Sequence, residues 1–124
     1  MRVAVTICSR QKNEDVELLP ACRRYTGEHI ANTEKIAQEL GLPFFILSGK
    51  YGLLPADEKI PNYDYHLETS TIDDLAEVME EQLRKFNVNE IEFYTEGKES
   101  WIPYETALKK AAELASVTLN KHGL

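Results

Sequence analysis

Leu42-Pro-Phe-Phe-Ile-Leu-Ser-Gly-Lys-Tyr-Gly52 decides how the chain is read. Its first half is an apolar run of strand length, and Ser48-Gly-Lys-Tyr-Gly52 breaks that run with polar and flexible residues. Upstream, a helical pattern begins near Glu28, with Ile30, Ala37 and Leu40 on one stripe and Ile36 beside it. Gly41 and Pro43 then stand where a helix C-cap and its follower belong. Further back, Arg2-Val-Ala-Val-Thr-Ile-Cys8 is rich in β-branched residues and runs into the polar stretch Ser9-Arg-Gln-Lys-Asn13. Strand, helix, strand is the βαβ order, and it predicts a parallel sheet with a right-handed crossover.

The second half repeats the alternation. Residues 53–69 show no period and carry Pro55 and Pro61, so a long loop is expected there, and a loop of that length in a small domain usually serves function. Thr71 caps the clearest helix of the chain, with Asp73 and Asp74 in its first turn and Ile72, Leu75, Ala76, Met79, Leu83 and Phe86 on one face. Glu90-Ile-Glu-Phe-Tyr94 alternates like a third, partly exposed strand. Pro103 opens a last helix striped by Tyr104, Ala107, Leu108, Ala111 and Ala115. Val117-Thr-Leu119 reads equally as an extension of that helix or as a short edge strand. The expectation is α/β: a single three-layer domain over residues 1–124, with a small, mostly parallel sheet of three or four strands flanked by helices.

Composition narrows the function classes. The 124 residues are 43% hydrophobic and 28% charged, enough for a core. No apolar run approaches the ~20 residues of a membrane span, and the first residues lack a signal peptide's apolar stretch, so no membrane partner and a cytoplasmic location are expected. Two cysteines then read as reduced thiols. Residues 1–50 hold seven Lys/Arg against six Asp/Glu, a net of +1; residues 51–124 hold seven against fifteen, a net of −8. Such a chain repels a phosphate backbone overall, which disfavours extended non-specific binding of duplex DNA. A local basic site built from Arg10, Lys12, Arg23, Arg24 and Lys50 stays open beside the reading of solvated charges.

In an open parallel sheet the carboxyl ends of the strands gather on one edge, where ligands bind. The first strand delivers Cys8, Ser9, Arg10 and Lys12 there, the second Ser48, Gly49, Lys50, Tyr51 and Gly52, and the third Thr95, Glu96 and Gly97. Known chemical motifs are missing: no Walker A spacing, no G-x-G-x-x-G, no G-x-S-x-G. His29, His66 and His122 lack metal-ligand spacing, and Cys8 and Cys22 lie too far apart for C-x-x-C, so neither a metal nor a cofactor is expected. Candidate roles each have an ordinary counterpart. Cys8 is a nucleophile or a small core residue. Lys50 anchors a phosphate or carboxylate, or is a loop lysine. Tyr51 stacks on a base or plugs the core. Asp57, Asp64 and Glu68 act as general base or cap turns. His66 is the histidine nearest the expected site.

At Tyr25-Thr-Gly27, Leu47-Ser-Gly-Lys-Tyr-Gly-Leu-Leu54, Pro55-x-Asp57 and Ile60-x-x-Tyr63 the chain resembles the YaaA-like proteins. In these, Y-T-G precedes a helix, a strand ends in L-S-[GA]-x-Y-G-[LV], and P-x-D and I-x-P-Y follow. Ile7-Cys-Ser-Arg-Gln-Lys12 is similar to the Cys/Ser-Lys cluster that closes the first strand of the short members. Asn62 departs from the pattern, standing where a proline usually precedes the tyrosine. The resemblance covers about residues 3–67 and implies a site built from Cys8, Ser9, Lys12, Tyr25, Thr26, Gly27, Ser48, Lys50, Tyr51, Gly52, Asp57, Tyr63 and Asp64. The expected function is binding of a nucleotide, nucleobase or related ligand in a strand-end pocket, with hydrolysis or modification left open. Asp57, Asp64 and Cys8 are the catalytic candidates, and Gly49 joins the remaining residues in binding. The alternatives are a non-enzymatic stress-response or DNA-associated protein and an acidic interaction module; a homo-oligomer is compatible with each.

Overall fold

The computed structural model describes residues 1–63 and 71–124. Strands β1 (Arg2–Ile7), β3 (Phe44–Ser48), β4 (Gly52–Pro55), β6 (Glu90–Thr95) and β7 (Thr118–Gly123) form a five-stranded sheet in the order β4-β3-β1-β6-β7. All neighbours run parallel except β3 and β4, which make an antiparallel hairpin. Two short strands, β2 (Leu19–Pro20) and β5 (Lys59–Ile60), pair antiparallel as a second sheet. The helices are α1 (Ala21–Arg24), α2 (Glu28–Leu40), α3 (Ile72–Lys85) and α4 (Ile102–Leu114).

Period-two geometry sorts the central strand between two sets of partners. Val3, Val5 and Ile7 pack with Met79 and Leu83 of α3 and Ala107, Leu108 and Ala111 of α4. Ala4 meets Ala37 of α2 on the opposite face, and Ile46 of β3 meets Ile30. The small side chains of Ala107 and Ala111 let α4 approach closely; both are fully buried. Gly41 ends α2 in the left-handed conformation at φ 67°, and Pro103 lies in the first turn of α4, both as the sequence predicts.

Two elements differ from expectation and a third is left open by the sequence. The sheet has five strands because Gly52–Pro55, read as the start of a long loop, folds back on β3. Leu53 and Leu54 are both buried, so the segment shows no alternation, and four residues are too few for a period to register. Gly52 makes the reversal at φ 75°. Gln82 of α3 secures it, accepting from the Leu53 N–H at 2.7 Å and donating to the Tyr51 carbonyl at 3.0 Å. The choice at Val117–Leu119 resolves as strand, since Thr118–Gly123 pairs along all of β6. That pairing buries β6, read as partly exposed: Glu92 retains only 4% exposure. Burial alone would raise its carboxyl pKa, but hydrogen bonds from Asn120, His122 and Arg2 outweigh it and hold the group below its ordinary value.

Candidate functional site

The carboxyl ends of β1 and β6 part around a cleft of about 670 Å³. Its walls are the chain after β1 (Cys8 to Lys12), the first residues of α2, Tyr63, and the segment Glu96 to Tyr104 after β6. Ser9 ties two walls together. Its Oγ donates to the Gln11 carbonyl at 2.6 Å and accepts from the Gly27 N–H at 3.1 Å. Gly27 is required by close approach: a Cβ there would stand 2.7 Å from His29 Cε1 and 2.8 Å from Ser9 Cβ. Thr26 is exposed, and its N–H donates to Gln11, zipping the loop after β1 to the start of α2.

His29 is the histidine of this cleft, and the sequence reading passed over it. Buried to 6% exposure, its Nε2 lies 2.7 Å from the Ile7 carbonyl. A carbonyl only accepts, so Nε2 carries the hydrogen and Nδ1 faces Glu96 at 3.5 Å. A proton on Nδ1 or on Glu96 makes that contact attractive. Trp101 packs against the imidazole at 4.7 Å between ring centres, and Lys98 pairs with Glu96 at 3.2 Å. His29 stands in the first turn of α2 beside Ile30 and Trp101 just ahead of α4, neither of them marked by sequence spacing, while Tyr104 reads as part of the stripe of α4. Only the convergence of α2, β6 and α4 reveals them as one group.

Residues after β3 gather around Tyr63 instead. The Tyr63 hydroxyl bonds to the Tyr25 hydroxyl and lies 3.0 Å from Ser48 Oγ. Ser48 is fully buried and already accepts the Lys50 and Tyr51 N–H groups at 3.1 and 3.2 Å, so its own hydrogen points to Tyr63. Desolvation pushes the Tyr63 phenol up to about 12 and that of Tyr25 higher still, which keeps both as neutral hydrogen-bonding groups. Tyr51 meets the Tyr63 ring edge-on at 5.3 Å. Lys12 and Lys50 hold their ammonium groups 4.9 and 5.3 Å from the Tyr63 ring centre. Of the predicted residues, Cys8, Ser9, Lys12, Gly27 and Tyr63 line the cleft; Ser48, Lys50 and Tyr51 stand behind Tyr63, Tyr25 lies buried beneath it, the Gly49 amide reaches Cys8, and Gly52 packs against α3.

Two catalytic candidates change standing. Asp57 is exposed in the turn after β4, and the hairpin has carried the chain back to the opposite edge of the sheet, where Pro55 pairs with Phe45. It is therefore remote from the cleft. Cys8 lies on the cleft floor, where burial pushes its thiol up against the opposing pull of the Gly49 amide and the Lys12 charge, so it stays protonated at neutral pH. Asp64, His66 and Glu68 lie outside the described residues.

Arg24 is a further correction. Read as either part of a local basic site or a solvated charge, it is fully buried, and its guanidinium donates to the carbonyls of Asn13 (2.5 Å), Asp15 (3.0 Å), Glu17 (2.6 Å) and Ile60 (3.3 Å). One side chain thus holds the loop that presents Arg10 and Lys12 and the strand that leads to Tyr63.

Fold and cleft together define an α/β protein with a polar and aromatic cleft at the carboxyl edge of a mostly parallel sheet. Among the described residues no group of His, Cys, Asp or Glu is arranged to hold a metal ion, and no helix is long and apolar enough to cross a membrane. The chain belongs to a family of unknown function, DUF6884, whose model matches residues 3–122. No curated protein and no solved structure matches it.

Proposed function

We propose that residues 1–124 form one three-layer domain of YaaA-like kinship whose strand-end cleft binds a nucleotide-like ligand. The observation that carries this reading is the cleft itself: about 670 Å³, lined by Arg10 and Lys12 and by Tyr63, Trp101 and Tyr104, in a chain of net charge −7. That volume falls within the range of small-molecule sites. Half-buried aromatic walls suit the face of a base or sugar, and guanidinium and ammonium groups suit phosphate oxygens. The imidazole of His29 and the carboxylate of Glu96, 3.5 Å apart at the cleft, leave room for hydrolysis of the bound ligand.

A thermal-shift screen of nucleobases, nucleosides and nucleotides tests the reading. A ligand at 100-fold its Kd should stabilise by ~2.7 kcal/mol, roughly 10 °C for a domain of this size. Arg10→Ala should diminish the shift. A screen in which no member moves the transition would refute the proposal.

A further inference from the structure

The cleft continues past Tyr63 into a second hollow of about 280 Å³, lined by Arg10, Lys12, Glu14, Asn62 and Tyr63. Arg10, Lys12 and Tyr63 belong to both cavities. Lys50 also lies against the Tyr63 ring, which brings its ammonium group to within about 10 Å of that of Lys12. Lysines and arginines elsewhere commonly have an acidic partner: Arg2 with Glu92, Arg84 with Glu80, Lys110 with Asp73, Lys121 with Glu105. Among the described residues no carboxylate lies within 4.0 Å of Arg10, Lys12 or Lys50.

The backbone that carries Lys12 and Lys50 is also held in place, unlike that of a free loop. Lys12 bridges Tyr25 in antiparallel fashion, the Asn13 N–H donates to the Arg24 carbonyl at 2.8 Å, and the Arg24 guanidinium closes the loop from behind. The backbone of Lys50 is fixed by its bond to Ser48 Oγ. A cluster of cations that no described carboxylate pairs at ion-pair distance is complementary to a polyanion.

We infer that the ligand carries at least two phosphoryl groups, as a nucleoside di- or triphosphate does, with its phosphate chain passing Tyr63 between Arg10, Lys12 and Lys50. This rests on the nucleotide reading for the base and sugar, while the phosphate site stands on the cation cluster alone. Binding needs no bond to break, and the three side chains neutralise the added charge of the second phosphate.

Calorimetric titration tests it with nucleosides of the four common bases, their 5′-monophosphates and 5′-diphosphates, and inorganic pyrophosphate. A diphosphate should bind at least about tenfold tighter than its nucleoside, and the difference should shrink as salt rises. Lys12→Met and Lys50→Met should each narrow that gap about fivefold or more, whereas Lys85→Met, at the end of α3 on the opposite edge of the sheet, should leave it intact. Lys12→Gln and Lys50→Gln provide the same reading should either Met variant fail to fold. Equal affinity for nucleoside, monophosphate and diphosphate overturns the inference, as does a gap that survives both lysine substitutions. Lysine-dependent binding of pyrophosphate without binding of any nucleotide would discard the nucleotide reading and keep the two-phosphate site. Failure of every probe discards both.

Discussion

Arg24→Met should unsettle both arms of the cleft at once. The wild-type guanidinium is fully buried, donates to four carbonyls and, among the described residues, has no carboxylate partner. Hydrogen bonds from a charged donor contribute about 1.5–3 kcal/mol each when a partner is removed. Two effects reduce the total. Asn13, Asp15 and Glu17 are exposed residues whose carbonyls regain water, and releasing an unpaired buried cation returns several kcal/mol of desolvation. The Ile60 carbonyl, on a residue only 3% exposed, regains little. The net cost should be about 2–4 kcal/mol, a fall in Tm of roughly 8–16 °C for a domain of this length. Arg24→Lys should cost nearly as much, since one ammonium cannot reproduce a planar fork reaching two segments. Urea denaturation measures the free energy, and amide exchange should quicken first between Asn13 and Glu17. Stability of Arg24→Lys within about 1 kcal/mol of wild type, or unchanged exchange in that loop, would refute the clamp.

Other substitutions probe separate links. Gly27→Ala places a Cβ 2.7 Å from His29 Cε1, so the ring must move off the Ile7 carbonyl; a loss of about 1–3 kcal/mol by thermal denaturation and shifted His29 ring resonances are expected. Leu108→Ala leaves a cavity between α4 and the sheet at a site with no exposure and should cost about 2–5 kcal/mol in urea. Tyr63 has its folded pKa raised from 10.0 to about 12, so the unfolded chain loses this proton first as pH rises. Its contribution is complete below pH 10 and lost as pH climbs through about 12. Tyr63→Phe should flatten this alkaline decline in denaturation midpoints.

Much of the architecture is legible in local pattern because helix and strand periods are properties of neighbouring residues. The stripes of α3 and α4, that of α2 apart from the exposed Leu40, the cap at Gly41 and the apolar cores of β1 and β3 follow from side-chain spacing. The edge on which Cys8, Ser9 and Lys12 emerge follows too, since a βαβ crossover leaves the carboxyl ends together. Strands of four residues such as β4 fall below the reach of periodicity, and β7 becomes a strand through its partner β6. The same limit governs the site. Lys50 and Tyr51 are conspicuous in the sequence, yet the hairpin turns them behind Tyr63; His29 and Trp101 carry no local signal, yet α2 and the tight turn before α4 deliver them to the cleft.

Arg24 marks the boundary most clearly. Its charge is written in the sequence, while its burial depends on carbonyls contributed by Asn13, Asp15, Glu17 and Ile60. Backbone propensity and hydropathy act over a few residues and set the elements and their order. Which polar groups meet, which charges lose their water and which stay uncompensated are set by contacts across tens of residues, and those exist only once the sheet has closed.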